Sequence, residues 1–146
     1  MDLSKMLEEF STLMDSGKLA DAIKLPISLI DDKVSGMIPS IHLGSDGPVL
    51  KSLFLVTSNF FIEVRLGAKE DFDFIALNSI ENYRIEINEH KVKKADGEEI
   101  SYELAKVIFQ HTLYGFLSEL NYVGNDRKSW LEKVTKLIPI KIILKC

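Results

Sequence analysis

Cysteine is almost missing from this 146-residue chain, Cys146 at the last position being the only one. One thiol makes no internal disulfide, so the fold has to stand without covalent staples, which fits a reducing compartment. Proline numbers four and glycine eight, too few for a fibrous or low-complexity chain. Long apolar runs are missing too. The stretch Ile138 to Leu144 is broken by Pro139 and Lys141 and falls short of the ~20 residues of a membrane span. Met1 to Phe10 carries Asp2, Glu8 and Glu9 where a secretory leader needs a basic start and an apolar core, so a cytoplasmic chain is expected. Charge of one sign is absent as well. The 18 basic and 22 acidic residues leave a formal net charge of −4, and no whole-molecule field draws the chain to nucleic acid.

The usual signatures of chemistry are equally thin. His42, His90 and His111 stand far apart, without His or Cys neighbours at ligand spacing, so neither a metal nor a cofactor is expected. Gly44 and Gly47 are not followed by Lys-Ser/Thr, which removes a phosphate loop. The carboxylate pairs Glu8-Glu9, Asp31-Asp32 and Glu98-Glu99 are sequence neighbours. Neighbours point different ways on a helix or strand, so these are not acid and base partners.

What is present is a compact β-rich pattern. Hydrophobic residues make up 46% and charged residues 27%, and the length suits one ordinary domain. Leu53 to Leu66 predicts a hairpin, two β-branched and aromatic runs reversing at Ser58-Asn59. Before it, Ile41 to Leu43, the turn cluster Gly44 to Pro48 and Val49-Leu50 predict another β-turn-β unit, while Ile27 to Pro39 reads as either strand or linker. After it, Phe60, Ile62, Val64 and Leu66 predict a buried face opposite a wet one carrying Phe61, Glu63 and Arg65. Strand-like alternation returns at Phe72 to Leu77, at Ile80 to Ile87, and after the Asp96-Gly97 turn at Ile100 to Leu104. Between Ala105 and Lys106 the apolar phase slips, which predicts a bulge; helix competes with strand from Ser101 to Tyr122, and strand is preferred.

Helices are expected at both ends. Leu3, Met6, Leu7, Phe10, Leu13 and Met14 form one amphipathic stripe that Ser16-Gly17 stops, and Leu19, Ala22 and Ile23 a second, shorter helix ended by Pro26. Asp126 caps a final helix whose stripe is Trp130, Leu131, Val134, Leu137 and Ile138. Ile140 to Lys145 is β-prone, with Lys141 and Lys145 as guards.

Three stretches carry a resemblance. Leu53 to Ile62 looks like a strand, a Thr-Asn-type turn and a strand; Ile75 to Tyr83 like the next strand and a short I-x-x-I connection; Trp130 to Val134 like a capping helix with its tryptophan. In this the chain resembles the pleckstrin-homology-like superfold, in its bacterial and GRAM-type branches. The resemblance implies an α+β fold: a bent antiparallel sheet or barrel of about seven strands, capped by a C-terminal helix anchored by Trp130. Residues 1–33 would be an N-terminal helical extension and 34–146 the PH-like domain, together one compact unit.

The lipid-binding members of that superfold carry clustered Lys and Arg around the first loop. Here that loop, Gly44 to Pro48, is followed only by Lys51 and opposed by Asp46, which weighs against phosphoinositides. The one basic cluster is Lys91, Lys93 and Lys94 beside His90. It is the weak candidate for an anionic headgroup, with Glu98 and Glu99 next door to balance it. His111, on a face with Val107 and Phe109, is the weak candidate for a pocket site in a small enzyme. The expectation that ranks first is a non-enzymatic interaction module that binds protein. Its contact surfaces, including those of a homodimer, would be the N-terminal helix or the C-terminal edge Ile140 to Lys145.

Overall fold

The computed structural model describes residues 3–67, 71–77, 80–111 and 117–138. Among them the chain forms α1 (Leu3–Glu8), α2 (Ser16–Ser28), β1 (Gly36–Gly44), β2 (Gly47–Val56), β3 (Phe60–Arg65), β4 (Asp71–Ala76), β5 (Ile80–Lys93), β6 (Glu99–His111), β7 (Leu117–Gly124) and α3 (Arg127–Leu137). Among the described residues the fold is α+β, with seven antiparallel strands followed by a helix. The strands divide into two meanders, β1-β2-β3-β4 and β5-β6-β7, rather than closing into one barrel. In both, each strand pairs antiparallel with the one that follows it in the chain, which keeps the pairing local in sequence.

The two sheets meet at β1 and β7. The β1 register shifts between Ser40 and Ile41, and there the Asn121 amide donates to Ser40 Oγ at 3.0 Å. A bulge turns the strand locally, and a side-chain oxygen takes the proton that a ladder carbonyl would otherwise accept.

Two apolar clusters lie on opposite faces of the first sheet. On one face Leu7, Phe10, Leu19 and Ile23 from the N-terminal segment pack with Met37, Leu53, Leu55, Ile62 and Val64. On the other, Ile38, Phe54, Val56, Phe61 and Ile75 pack with Val107, Phe109, Leu120, Trp130 and Val134. This two-sided burial explains the unbroken run Leu53-Phe54-Leu55-Val56, all fully buried. It also corrects the expected wet face of β3: Phe61 stacks on Phe54 at 4.8 Å and meets Phe109 edge-on at 5.5 Å, tying one sheet to the other.

The phase slip in β6 has a different cause from a bulge, since the pairing with β5 and β7 runs unshifted through Ala105 and Lys106. The strand crosses from one apolar cluster to the other. Tyr102 and Leu104 pack on the first, while Ala105, Val107 and Phe109 pack in the second, so the buried face changes although the backbone does not. Residues 112–116 lie outside the described residues.

The N-terminal helices differ from the sequence pattern in two places. α1 ends at Glu8 and gives way to tight turns, such as Leu13 N–H to Phe10 carbonyl at 2.9 Å. Ser16-Gly17 begins α2 instead of stopping α1, because Asp15 stands at the N-cap and accepts from Gly17 N–H. Pro26 sits inside α2, which runs two residues further. A proline there removes one helical bond, the one to the Ala22 carbonyl, and the helix ends two residues later. No helix among the described residues is long and apolar enough to cross a membrane.

α3 starts at the N-cap Asp126, which accepts from Ser129 N–H at 3.3 Å, and packs on β1, β6 and β7. Trp130 is 5% exposed, lies 5.5 Å from the Tyr122 ring, and donates its indole N–H to the Pro39 carbonyl at 2.9 Å. Pro39 itself lies within β1, an edge strand, where a missing N–H is tolerated.

Candidate functional site

β5 is a 14-residue strand without proline that pairs along β6; among the described residues its other edge has no partner strand. Ile85 stands opposite Val107 and Ile87 opposite Ala105, so all four face the same side of the sheet. Val107 and Ala105 are buried, yet Ile85 is 41% and Ile87 54% exposed. The reason is the line of α3, which lies over β1, β6 and β7 and leaves the inner face of β5 uncovered.

The gap between that strand and the helix is a cleft of about 570 Å³, lined by Ile87, Glu103, Arg127, Leu131, Glu132 and Thr135 among others. Its floor is apolar at Ile87 and Leu131 and its rim is charged. Arg127 fixes the near end. Its guanidinium donates to the Asn88 carbonyl at 3.0 Å and the Leu104 carbonyl at 3.3 Å, while its backbone N–H donates to Glu103 Oε1 at 3.2 Å. The first turn of α3 is thereby tied to β5 and β6.

Chemically, the arrangement offers a strand edge unpaired among the described residues, two apolar side chains on one face and a helix wall behind them. These are the requirements for taking up an extended chain as an added strand. Another edge strand, β4, is only six residues long. It carries Asp71 and Asp73, both bound to Arg65 at 2.8 and 2.7 Å. Those bonds hold the Asp71 carboxyl below its ordinary value and the Arg65 guanidinium above its own, while burial raises Glu63 beside them. This is a charged, short edge of the kind that resists pairing.

A second, polar cleft of about 230 Å³ opens beside the meeting of β1 and β7, lined by His42, Glu86, Asn88, Leu104, Lys106 and Asn121 among others. His42 Nε2 lies 3.4 Å from Asn121 Nδ2. Desolvation, and after it the charge of Lys51, lowers the His42 pKa below 6.5. Lys106 is engaged with Glu119 at 3.9 Å. The cleft offers hydrogen-bonding groups without a nucleophile set against a base.

The residues singled out from sequence do not converge. Lys91 and Lys93 end β5 and Lys94 opens the following turn; Lys91 pairs with Glu99 at 4.0 Å, Lys94 with Glu98 at 3.9 Å, and Lys93 stands opposite Glu99 in the ladder. His111 closes β6 opposite Ile80, and its side chain, with the pocket expected around it, lies outside the described residues. The edge Ile140 to Lys145 lies outside them as well. The stripe of the N-terminal helix faces inward, with Leu7 and Phe10 buried, and Lys133 of α3 closes over it, 3.2 Å from Glu9 and above the Phe10 ring. No group of three His, Cys, Asp or Glu arranged for a metal occurs among the described residues.

Ile85 and Ile87 were not singled out by sequence, where they read as ordinary members of an alternating strand. The pairing of His42 with Asn121, 79 positions apart, leaves no local trace either. Comparison of the chain with protein-family models, curated proteins and solved structures returns no match.

Proposed function

We propose that this protein is a non-enzymatic interaction module on a PH-like scaffold, and that it binds protein by accepting an extended segment as an added strand on the outer edge of β5. The observation that carries the proposal is the pair Ile85 and Ile87, 41% and 54% exposed on the uncovered side of an edge that has no partner strand among the described residues. What supports the PH-like part is the order of elements: meanders of four and three antiparallel strands followed by a helix whose tryptophan lies buried. Backbone groups of β5 supply affinity, and the cleft beside α3 receives alternate side chains of the added strand.

The anionic-lipid alternative draws less support, because Lys91 and Lys94 are engaged by glutamates of their own hairpin. An enzyme site near His111 has no described geometry behind it.

The test uses a library of random peptides displayed on phage and selected on the immobilised chain. Selected peptides are expected to be extended and apolar at alternate positions, to protect β5 amides from hydrogen exchange, and to lose binding to the Ile85→Lys/Ile87→Lys variant. Peptides that bind that variant as tightly as the wild type, with its far-UV CD unchanged, overturn the proposal.

A further inference from the structure

The outer edge of β5 is complementary to itself. Resting on the strand-addition reading above, we infer that the segment it accepts is the β5 of a second copy of this chain. The two strands pair antiparallel across a twofold axis that passes between the two Ile87 residues, and two three-stranded sheets become one.

Symmetry restricts the register. Opposite residues in an antiparallel ladder share a face, so a twofold axis across the ladder has to pass through a position that meets its own copy. With Ile87 at that position, Ile87 faces Ile87, Glu86 faces Asn88, Ile85 faces Glu89 and Arg84 faces His90. No carboxylate meets a carboxylate and no lysine meets a lysine. The ion pair Arg84 to Glu86, 3.1 Å within one strand, stays intact on the opposite face.

Neighbouring registers fit less well. Centring on Glu86 sets two carboxylates against each other, which opposite positions in a ladder penalise. Centring on Asn88 sets Ile87 against Glu89 and Ile85 against Lys91, so both isoleucines lose an apolar partner. Centring on Ile85 sets Ile87 opposite Tyr83 and Arg84 opposite Glu86, but it also sets Glu81 opposite Glu89 twice, like against like. Of these registers, only the one centred on Ile87 sets isoleucine against isoleucine while opposing no like charges.

The placement of the edge guards agrees. Lysines discourage strand addition, and in β5 they stand only at Lys91 and Lys93, toward one end. The span from Arg84 to His90, which the twofold register pairs completely, contains neither lysine nor proline.

The experiment is sedimentation equilibrium of the full chain, joined to cysteine cross-linking in a Cys146→Ser background. The wild type is expected to dimerise reversibly, and Ile87→Lys to raise the dimer dissociation constant about 100-fold or more, because the Ile87–Ile87 contact is lost and two lysine charges are set against each other. Opposite Cα atoms in such a ladder lie about 4.5 to 5.5 Å apart, inside the range a disulfide spans. Mild oxidation should therefore link Ile87→Cys into a covalent dimer. Ile85→Cys should not link, since the two copies of position 85 then lie four residues apart along the ladder, about 13 Å. A chain that stays monomeric up to about 1 mM overturns the inference whether or not the variants fold. A dimer that Ile87→Lys leaves intact overturns it too, as does oxidation that links the Ile85→Cys variant and leaves the Ile87→Cys variant unlinked. The two failures are distinguishable: a monomer that still captures edge-binding peptides loses the second copy and keeps the strand-addition reading, whereas a monomer that captures none loses both.

Discussion

Replacing Trp130 by alanine, and separately by phenylalanine, divides the work of one side chain into its apolar and polar parts. The indole is 5% exposed among Tyr122, Val134 and the second apolar cluster, and its N–H donates to the Pro39 carbonyl at 2.9 Å. Alanine removes the whole ring and leaves a void between α3 and the strands, a change that costs about 3 to 5 kcal/mol. Phenylalanine keeps most of the ring but strands the Pro39 oxygen without its donor, a loss of about 1 to 3 kcal/mol. Total stabilities are about 5 to 15 kcal/mol, so Trp130→Ala takes a large share of the whole. The measurement is equilibrium unfolding in urea followed by far-UV CD, since the variants lack the fluorescent reporter. A loss below about 1 kcal/mol in Trp130→Ala would refute the burial assigned to the ring. A phenylalanine variant as stable as the wild type would refute the role given to the Pro39 bond.

Two further perturbations test the surroundings. Asp32 accepts from Thr57 Oγ1 at 3.0 Å and from Asn59 Nδ2 at 3.0 Å, holding the chain after α2 against the β2–β3 turn, so Asp32→Ala should cost about 1 to 2 kcal/mol in the same titration, against under about 0.5 for its exposed neighbour Asp31. His42 has its pKa lowered from 6.5, by desolvation first and then by Lys51, so just below that pH the unfolded chain binds more protons than the folded one. Stability should therefore fall as pH drops through 6.5 and level off once the folded His42 is itself protonated; urea midpoints at several pH values should show this slope in the wild type and lose it in His42→Gln.

Much of the fold was legible because its signals are local. The reversal between β2 and β3 lies at Ser58-Asn59, where the hairpin pattern places it, and the Thr57 hydroxyl accepts from the Asn59 and Phe60 amides to close it. Asp126 caps α3 for the reason its place before an apolar stripe suggests. Where reading failed, two local rules competed or a distant element intervened. Ser16-Gly17 fits a helix stop as well as a start, and only the Asp15 cap decides for the start. Ile27 to Pro39 stayed ambiguous because a proline inside a strand is allowed only at an edge, and β1 becomes an edge only in the assembled sheet. The candidate site was hardly legible. Ile85 and Ile87 alternate with charged residues like any half-buried strand, and nothing near them in sequence says that the covering helix lies elsewhere.

The chain's own sequence determined which segments extend, where they reverse, and which face of each helix is apolar, since backbone propensity, turn chemistry and capping act over a few residues. The tertiary structure alone decided which apolar faces are covered. It placed Phe61 against Phe109 rather than in water, moved the buried side of β6 from Leu104 to Ala105, and left Ile87 bare. Hydrophobic burial has no direction along the chain and answers only to what else is within reach, and that is set by segments tens of residues away.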